Sequence, residues 1–278
     1  MNIGRQSVIK TSTMFFGLFL LIFTAFPGIA APGEAIDQTP AQVSKTQSGS
    51  YPVTEFYTYL GAGDFDEVQD MAIGADGSIY VVGVAGSTGM PIVNGYQSTF
   101  GGNRDVFLAK FSADGKQLLY STYLGGPGDD IGMAIELDGA GNIYIAGQAG
   151  AGFPMVNAYQ STFGGGIDGF VAKLSPNGST LLYSSYLGGM EWESVVDMKL
   201  KSTGNMCVVG YTRSVDFPLV NAMKTTYEAE EAFIAEFSPD GSSLVFSTFF
   251  GGTGNDFAHG LALDASDNMY ITGWTTSY

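Results

Sequence analysis

Tyr59-Leu60-Gly61-Ala62 returns as Tyr123-Leu124-Gly125-Gly126, again as Tyr186-Leu187-Gly188-Gly189, and a fourth time as Phe249-Phe250-Gly251-Gly252. The spacings are 64, 63 and 63 residues. A fixed period marks a repeat array, in which each unit is one supersecondary element that buries apolar surface against its neighbours. The period speaks to architecture and leaves the ligand unnamed.

The unit that follows Tyr123–Gly126 sets the grammar. Ile131–Leu137 predicts a first strand, and Asp138-Gly139-Ala140-Gly141-Asn142 a tight turn of residues that tolerate positive φ. Ile143–Gln148 predicts a second strand. A long connection follows, containing Phe153-Pro154 and Asn157-Ala158-Tyr159-Gln160. Gly169–Leu174 predicts a third strand, Ser175-Pro176-Asn177-Gly178 a hairpin turn, and Leu181–Leu187 a fourth strand. The second strand keeps a glycine at Gly83, Gly147, Gly210 and Gly273. Glycine inside a strand marks a bulge or a close backbone approach, expected here where adjacent sheets converge.

Four short strands per unit make a twisted sheet with two apolar faces, and both need cover. Radial packing of like sheets provides it, so the fold class is all-β: a β-propeller of four-stranded antiparallel blades. Three complete blades are expected at about 65–124, 128–187 and 191–250. A lone fourth strand at Phe56–Gly61 precedes them, and a partial blade at 254–278 follows, which leaves the ring incomplete or open. Three closures compete: further blades in a longer propeller, two copies completing one ring, or the N-terminal strand closing the last blade. Open edges invite self-association.

The motifs also carry a family resemblance. They are YLGG-x-GDD at Tyr123–Asp130, D-x-x-GN-[IM]-Y-[IV]-x-G at Asp138–Gly147, FP-x-x-NAYQSTFGG at Phe153–Gly165, and D-x-FVAKLSP-x-GS-x-L-x-YS-x-YLGG at Asp168–Gly189. Together they resemble the bacterial beta-propeller repeat family SBBP. The resemblance extends over nearly all of 56–278. It implies an exported protein made of propeller blades and brings no agreed chemistry.

Residues 1–30 read as a secretory signal peptide: Arg5 and Lys10, then apolar Met14–Phe26, then small residues with cleavage near Ala30. Residues 31–55 read as a flexible leader. Secretion or placement in the cell envelope follows, with no transmembrane segment in the mature chain. Loss of Arg5 and Lys10 takes the formal charge from −16 to −18. Such a surface repels nucleic acid. The single cysteine, Cys207, stands where other units have Tyr80, Tyr144 and Tyr270, so it reads as a packing position rather than a reactive thiol.

Carboxylates recur where the loops should gather. Asp66, Asp129, Asp130, Glu193 and Asp256 fall in or beside the blade-to-blade connections, and Asp105, Asp168 and Glu231 open the third strands. They are candidates for a ligand-binding rim. Asp129, Asp130 and Asp168 are candidates for Ca²⁺, which takes six to eight oxygens in flexible geometry. The alternative is that they cap turns. No catalytic residue stands out. His259 is the only histidine, which with one cysteine excludes an ordinary zinc site. Tyr96, Phe100, Tyr159, Phe163 and Tyr227 in the long connections serve either as stacking platforms or as cover for their own sheets. The expected role is non-catalytic: a binding or cell-surface scaffold that takes a protein or glycan on its loop-bearing face. The alternatives are a carbohydrate-active hydrolase or lyase that uses rim carboxylates, and a purely structural array with no small-molecule ligand.

Overall fold

The computed structural model describes residues 19–23 and 54–277, and among these every regular element is a β-strand. Three four-stranded antiparallel sheets follow one another. The first is β3 (Asp66–Ile73), β4 (Ile79–Ala85), β5 (Asp105–Phe111) and β6 (Leu118–Leu124). The second is β7 (Ile131–Leu137), β8 (Ile143–Ala149), β9 (Asp168–Leu174) and β10 (Leu181–Leu187). The third is β11 (Glu193–Leu200), β12 (Met206–Thr212), β13 (Glu231–Phe237) and β14 (Leu244–Phe250). A two-stranded sheet, β15 (Asp256–Leu263) with β16 (Met269–Thr275), comes last. Within each sheet the strands lie in sequence order, as hairpins dictate.

The expected lone strand is present as β2 (Thr54–Tyr59), but its partner is β1 (Phe19–Phe23), with Phe19 opposite Tyr59. It does not close the last sheet. The remainder of the expected signal peptide and most of the leader lie outside the described residues. No helix among the described residues is long and apolar enough to cross a membrane.

Strand alternation explains how the sheets stack. Ile135, Ile145 and Ala172 point toward the first sheet and join Val82, Leu108 and Tyr120 in one core. Their neighbours Ala134, Ala146 and Val171 point the other way and join Val195, Val208 and Phe233 of the third. Cys207, Val209 and Ile234 repeat the pattern against Ala258 and Leu261 of the last sheet. Sheets buried on both faces need apolar residues at nearly every position, and β4, β5 and β8 have them. The first strands β3, β7, β11 and β15 pack in succession. The sheets thus form an open propeller arc.

Each first strand carries a β-bulge, between Val68 and Asp70, Gly132 and Ala134, Val195 and Asp197, and Ala258 and Gly260. The glycines of the second strands answer these bulges. A Cβ on Gly83, Gly147, Gly210 or Gly273 would strike the carbonyl of Glu67, Ile131, Ser194 or Phe257. The crowding comes from the bulged strand of the same sheet, not from a neighbouring sheet as the sequence suggested.

The long connection fastens to its own outer strand. Val156 bridges Ser184 and Gln160 bridges Tyr186, with equivalents at Val93–Ser121 and Gln97–Tyr123. Tyr186 Oη donates to the carbonyl of Gly150 and accepts from the Phe153 N–H, each at 3.0 Å. Phe153 then packs on Phe170 with ring centroids 4.4 Å apart. Asn94, Asn157 and Asn221 adopt φ near +50°, a conformation asparagine tolerates well. This strap covers the sheet edge that would otherwise stand free.

Candidate functional site

The candidate acids lie at the junctions where the fourth strand of one sheet hands over to the first strand of the next. Asp130 accepts from the Gly126 N–H at 2.7 Å and from the Gly150 N–H at 2.9 Å. It ties the inter-sheet turn to the exit of β8. Asp66 does the same with Ala62 and Gly86, at 2.5 and 3.1 Å. Glu193 takes the Gly189 N–H at 2.8 Å and the Thr212 hydroxyl at 2.6 Å. Asp256 takes the Gly252 N–H and the Ser277 hydroxyl. One acid therefore clamps each junction.

A second acid enters from the third strand of the preceding sheet. Asp105 accepts from the Gly101 N–H at 2.8 Å and from Gln97 Nε2 at 3.1 Å, both through Oδ2. Asp168 repeats this with Gly164 and Gln160, at 2.9 and 3.1 Å. Glu231 occupies the same place in the third sheet, but there Lys224 replaces the glutamine and its Nζ reaches both carboxylate oxygens, at 2.7 and 2.8 Å.

The two acids of a junction face each other across a glycine. A Cβ placed on Gly125 would stand 2.7 Å from Asp105 Oδ1 and 2.8 Å from Asp130 Oδ2. One on Gly188 would stand 2.9 Å from Asp168 Oδ1 and 2.5 Å from Glu193 Oε2. All four acids are fully buried. Burial pushes the carboxyl of Asp105 up to about 6 and those of Asp130 and Asp168 up to about 7, against the pull of their backbone N–H donors. Burial raises Glu193 as well.

Asp129 stands apart from these pairs. It is partly exposed and lies 3.9 Å from Arg104 Nε. Asp130 belongs to the junction of the first and second sheets, and Asp168 to that of the second and third. The structure therefore does not gather Asp129, Asp130 and Asp168 into one centre. No group of three or more His, Cys, Asp or Glu side chains suited to a metal occurs among the described residues.

Sequence reasoning missed Gln97, Gln160 and Lys224 as partners of these acids. The visible sign was the lysine that replaces glutamine in one repeat only. It also missed Asp70 and Asp197 on the first strands. Asp70 Oδ2 accepts from the Ile135 N–H at 3.1 Å, and Asp197 Oδ2 from the Leu261 N–H at 2.7 Å, each in the next sheet.

Of the connection aromatics, Phe100, Phe163 and Tyr227 pack against Tyr123, Tyr186 and Phe249 of their own sheets. Tyr96 and Tyr159 remain partly exposed. His259 sits exposed at the bulge of β15. On the loop-bearing side, Met190, Trp192 and Val215 are exposed and lie on adjoining segments. The Met190 N–H donates to Asp216, the Arg213 N–H donates to the Trp192 carbonyl, and the Arg213 guanidinium lies 5.7 Å from the indole centroid.

A search of curated proteins finds no match. Among solved structures, the chain is similar to MPT-4, a mannose phosphorylase from Leishmania mexicana solved in complex with phosphate ion. Identity is 11%, coverage is 82% of this chain and 70% of that one, and the TM-score is 0.38. A likeness that slight carries no argument. The family comparison bears directly on the junctions, because each matched segment runs from the fourth strand of one sheet through the second strand of the next. Residues 119–154 and 245–278 match the SBBP family model, the beta-propeller repeat, and these two regions of the chain are beta-propeller repeats.

Proposed function

We propose that this chain is an exported, non-catalytic propeller-repeat protein that presents its loop-bearing face as a binding or scaffold surface to a glycan or protein. The observation that carries the reading is the exposed group of Met190, Trp192 and Val215, with Arg213 over the indole. An exposed indole beside a guanidinium offers a flat face for a sugar ring or a planar side chain. The carboxylates support the same reading. Asp105, Asp130, Asp168 and Glu193 are fully buried beneath the inter-sheet turns, so they are poorly placed to meet a glycosidic bond. Export rests on the amino-terminal pattern that ends near Ala30.

The test is a glycan and peptide panel probed with the purified mature chain, read for binding and for turnover. Binding without turnover, lost in Trp192→Ala while the melting temperature stays unchanged, is the expected result. Turnover of a glycan that disappears in Asp130→Asn would replace this reading with a hydrolase or lyase. Amino-terminal sequencing of the exported protein should begin at Ala31.

A further inference from the structure

The third junction carries its own cation, and the first two lack one. Lys224 Nζ lies 2.7 and 2.8 Å from the two oxygens of Glu231, 3.0 Å from the Gly252 carbonyl and 3.3 Å from the Gly251 carbonyl. An ammonium thus sits in a nest of four oxygens. At the equivalent position the other junctions have Gln97 and Gln160, which are uncharged. The acid is kept as Asp105 and Asp168, and the two glycines as Gly125-Gly126 and Gly188-Gly189.

Glutamine does not replace lysine fully. Gln97 Nε2 reaches only Oδ2 of Asp105, and Gln160 Nε2 only Oδ2 of Asp168. Oδ1 of each aspartate is buried without a hydrogen-bond partner. Both unpartnered oxygens lie beside the second acid of their junction: the Cβ position of Gly125 is within 3 Å of Asp105 Oδ1 and Asp130 Oδ2, and that of Gly188 within 3 Å of Asp168 Oδ1 and Glu193 Oε2. Asp105 Oδ1 and Asp130 Oδ2 are at most 5.5 Å apart, the sum of their distances from the Cβ position of Gly125. Among the described residues none of the four acids forms an ion pair, although the third-junction acid Glu231 does. Two buried carboxylates with no compensating charge are costly, and proteins resolve this by protonation, pairing or metal coordination.

We propose that the first and second junctions each bind a Ca²⁺ ion, one between Asp105 and Asp130 and one between Asp168 and Glu193, where the third uses Lys224. The donors are all oxygen, which suits a hard cation and not zinc. Two carboxylates match a divalent charge. The glycine carbonyls that correspond to those around Lys224, together with water, complete the shell. These sites brace the fold from within, so they stand or fall independently of the binding face.

The test uses the full mature chain, freed of metal with chelator and titrated with CaCl₂ by calorimetry and thermal melting. Two Ca²⁺ per chain are expected, with a melting temperature raised by about 5–10 °C for each site at a hundredfold excess over Kd. Gln97→Lys should remove one site and leave the chelated protein at least as stable as wild type. Lys224→Gln should add a third. No calcium-dependent shift in wild type, or two sites retained in the Gln97→Lys, Gln160→Lys double variant, would overturn the proposal. An equal shift with NaCl at the same concentration would overturn its divalent character.

Discussion

The hairpin turn at Gly178 in the second sheet lies directly against the ring of Tyr120 in the first. A Cβ on Gly178 would enter that ring, and the residue already has φ +68°. Gly241 stands in the same relation to Tyr183 one repeat later, with φ +70°. The second hairpins of the second and third sheets are therefore also contacts between sheets, and glycine is required there for space as well as for backbone conformation.

Gly178→Ala and Gly241→Ala should each cost more than the roughly 1–2 kcal/mol expected of a left-handed non-glycine residue alone, because the aromatic ring must also move. Gly141 provides the comparison. Its φ is +81°, but its nearest neighbour, Pro176 Cβ, is 3.6 Å from the Cβ position, an ordinary contact. Gly141→Ala should cost only the conformational part. Urea denaturation of the three variants checks the order, and equal losses at all three positions would refute the role assigned to Tyr120 and Tyr183.

The junction acids give the metal-free protein an unusual response to pH. Asp105, Asp130 and Asp168 have folded-state values raised to about 6, 7 and 7 from an ordinary 3.8. Between those limits the folded chain holds more protons than the unfolded chain, so stability falls as pH rises. In chelator, these groups should make the protein more stable near pH 5 than near pH 8. Asp130→Asn should flatten that slope. A profile that rises from pH 5 to 8 and is unchanged by the substitution would contradict the burial argument.

The repeat itself was plain in the sequence, because Tyr123-Leu124-Gly125-Gly126 and its echoes fix the period. Glycine-rich turns such as Asp138–Asn142 then bound the strands to within a residue or two. The acids were legible as a recurring set but not as pairs. Asp105 meets Asp130 only because the third strand of one sheet and the entrance to the next sheet reach the same turn, a tertiary relation that local periodicity does not carry. Alternation along the chain did separate Asp129 from Asp130, one outward and one inward. Gly83 and Gly147 marked a bulge or a close approach, but the bulge lies on the paired first strand of the same sheet, and which neighbour crowds a strand glycine is a pairing relation that local sequence does not carry.

Cys207 is buried in the core between the third and last sheets, and burial pushes its thiol up to about 12. A thiolate reagent at pH 8 should leave the native protein unlabelled and modify one equivalent after unfolding in guanidinium. Rapid labelling of the native chain would show that the last sheet is not docked on the third.

The last sheet ends on β16, whose outer edge pairs with no strand among the described residues, and Tyr270 and Trp274 are exposed on it. The protein should self-associate through this edge, with a mass in sedimentation that grows with concentration above the monomer's. Tyr270→Lys should reduce the association. A constant monomer mass at all concentrations would refute it.

The central claim is that successive sheets dock through their first strands around one axis. The Leu261 amide tests it most directly, since it donates at 2.7 Å to Asp197 Oδ2, one full repeat away. Site-resolved hydrogen exchange should find Leu261 protected in wild type. In Asp197→Ala its exchange should speed by about tenfold or more, while Ile135, held by Asp70, stays slow. Exchange at Leu261 that is fast in wild type, or unaltered in the variant, would contradict the packing of these sheets.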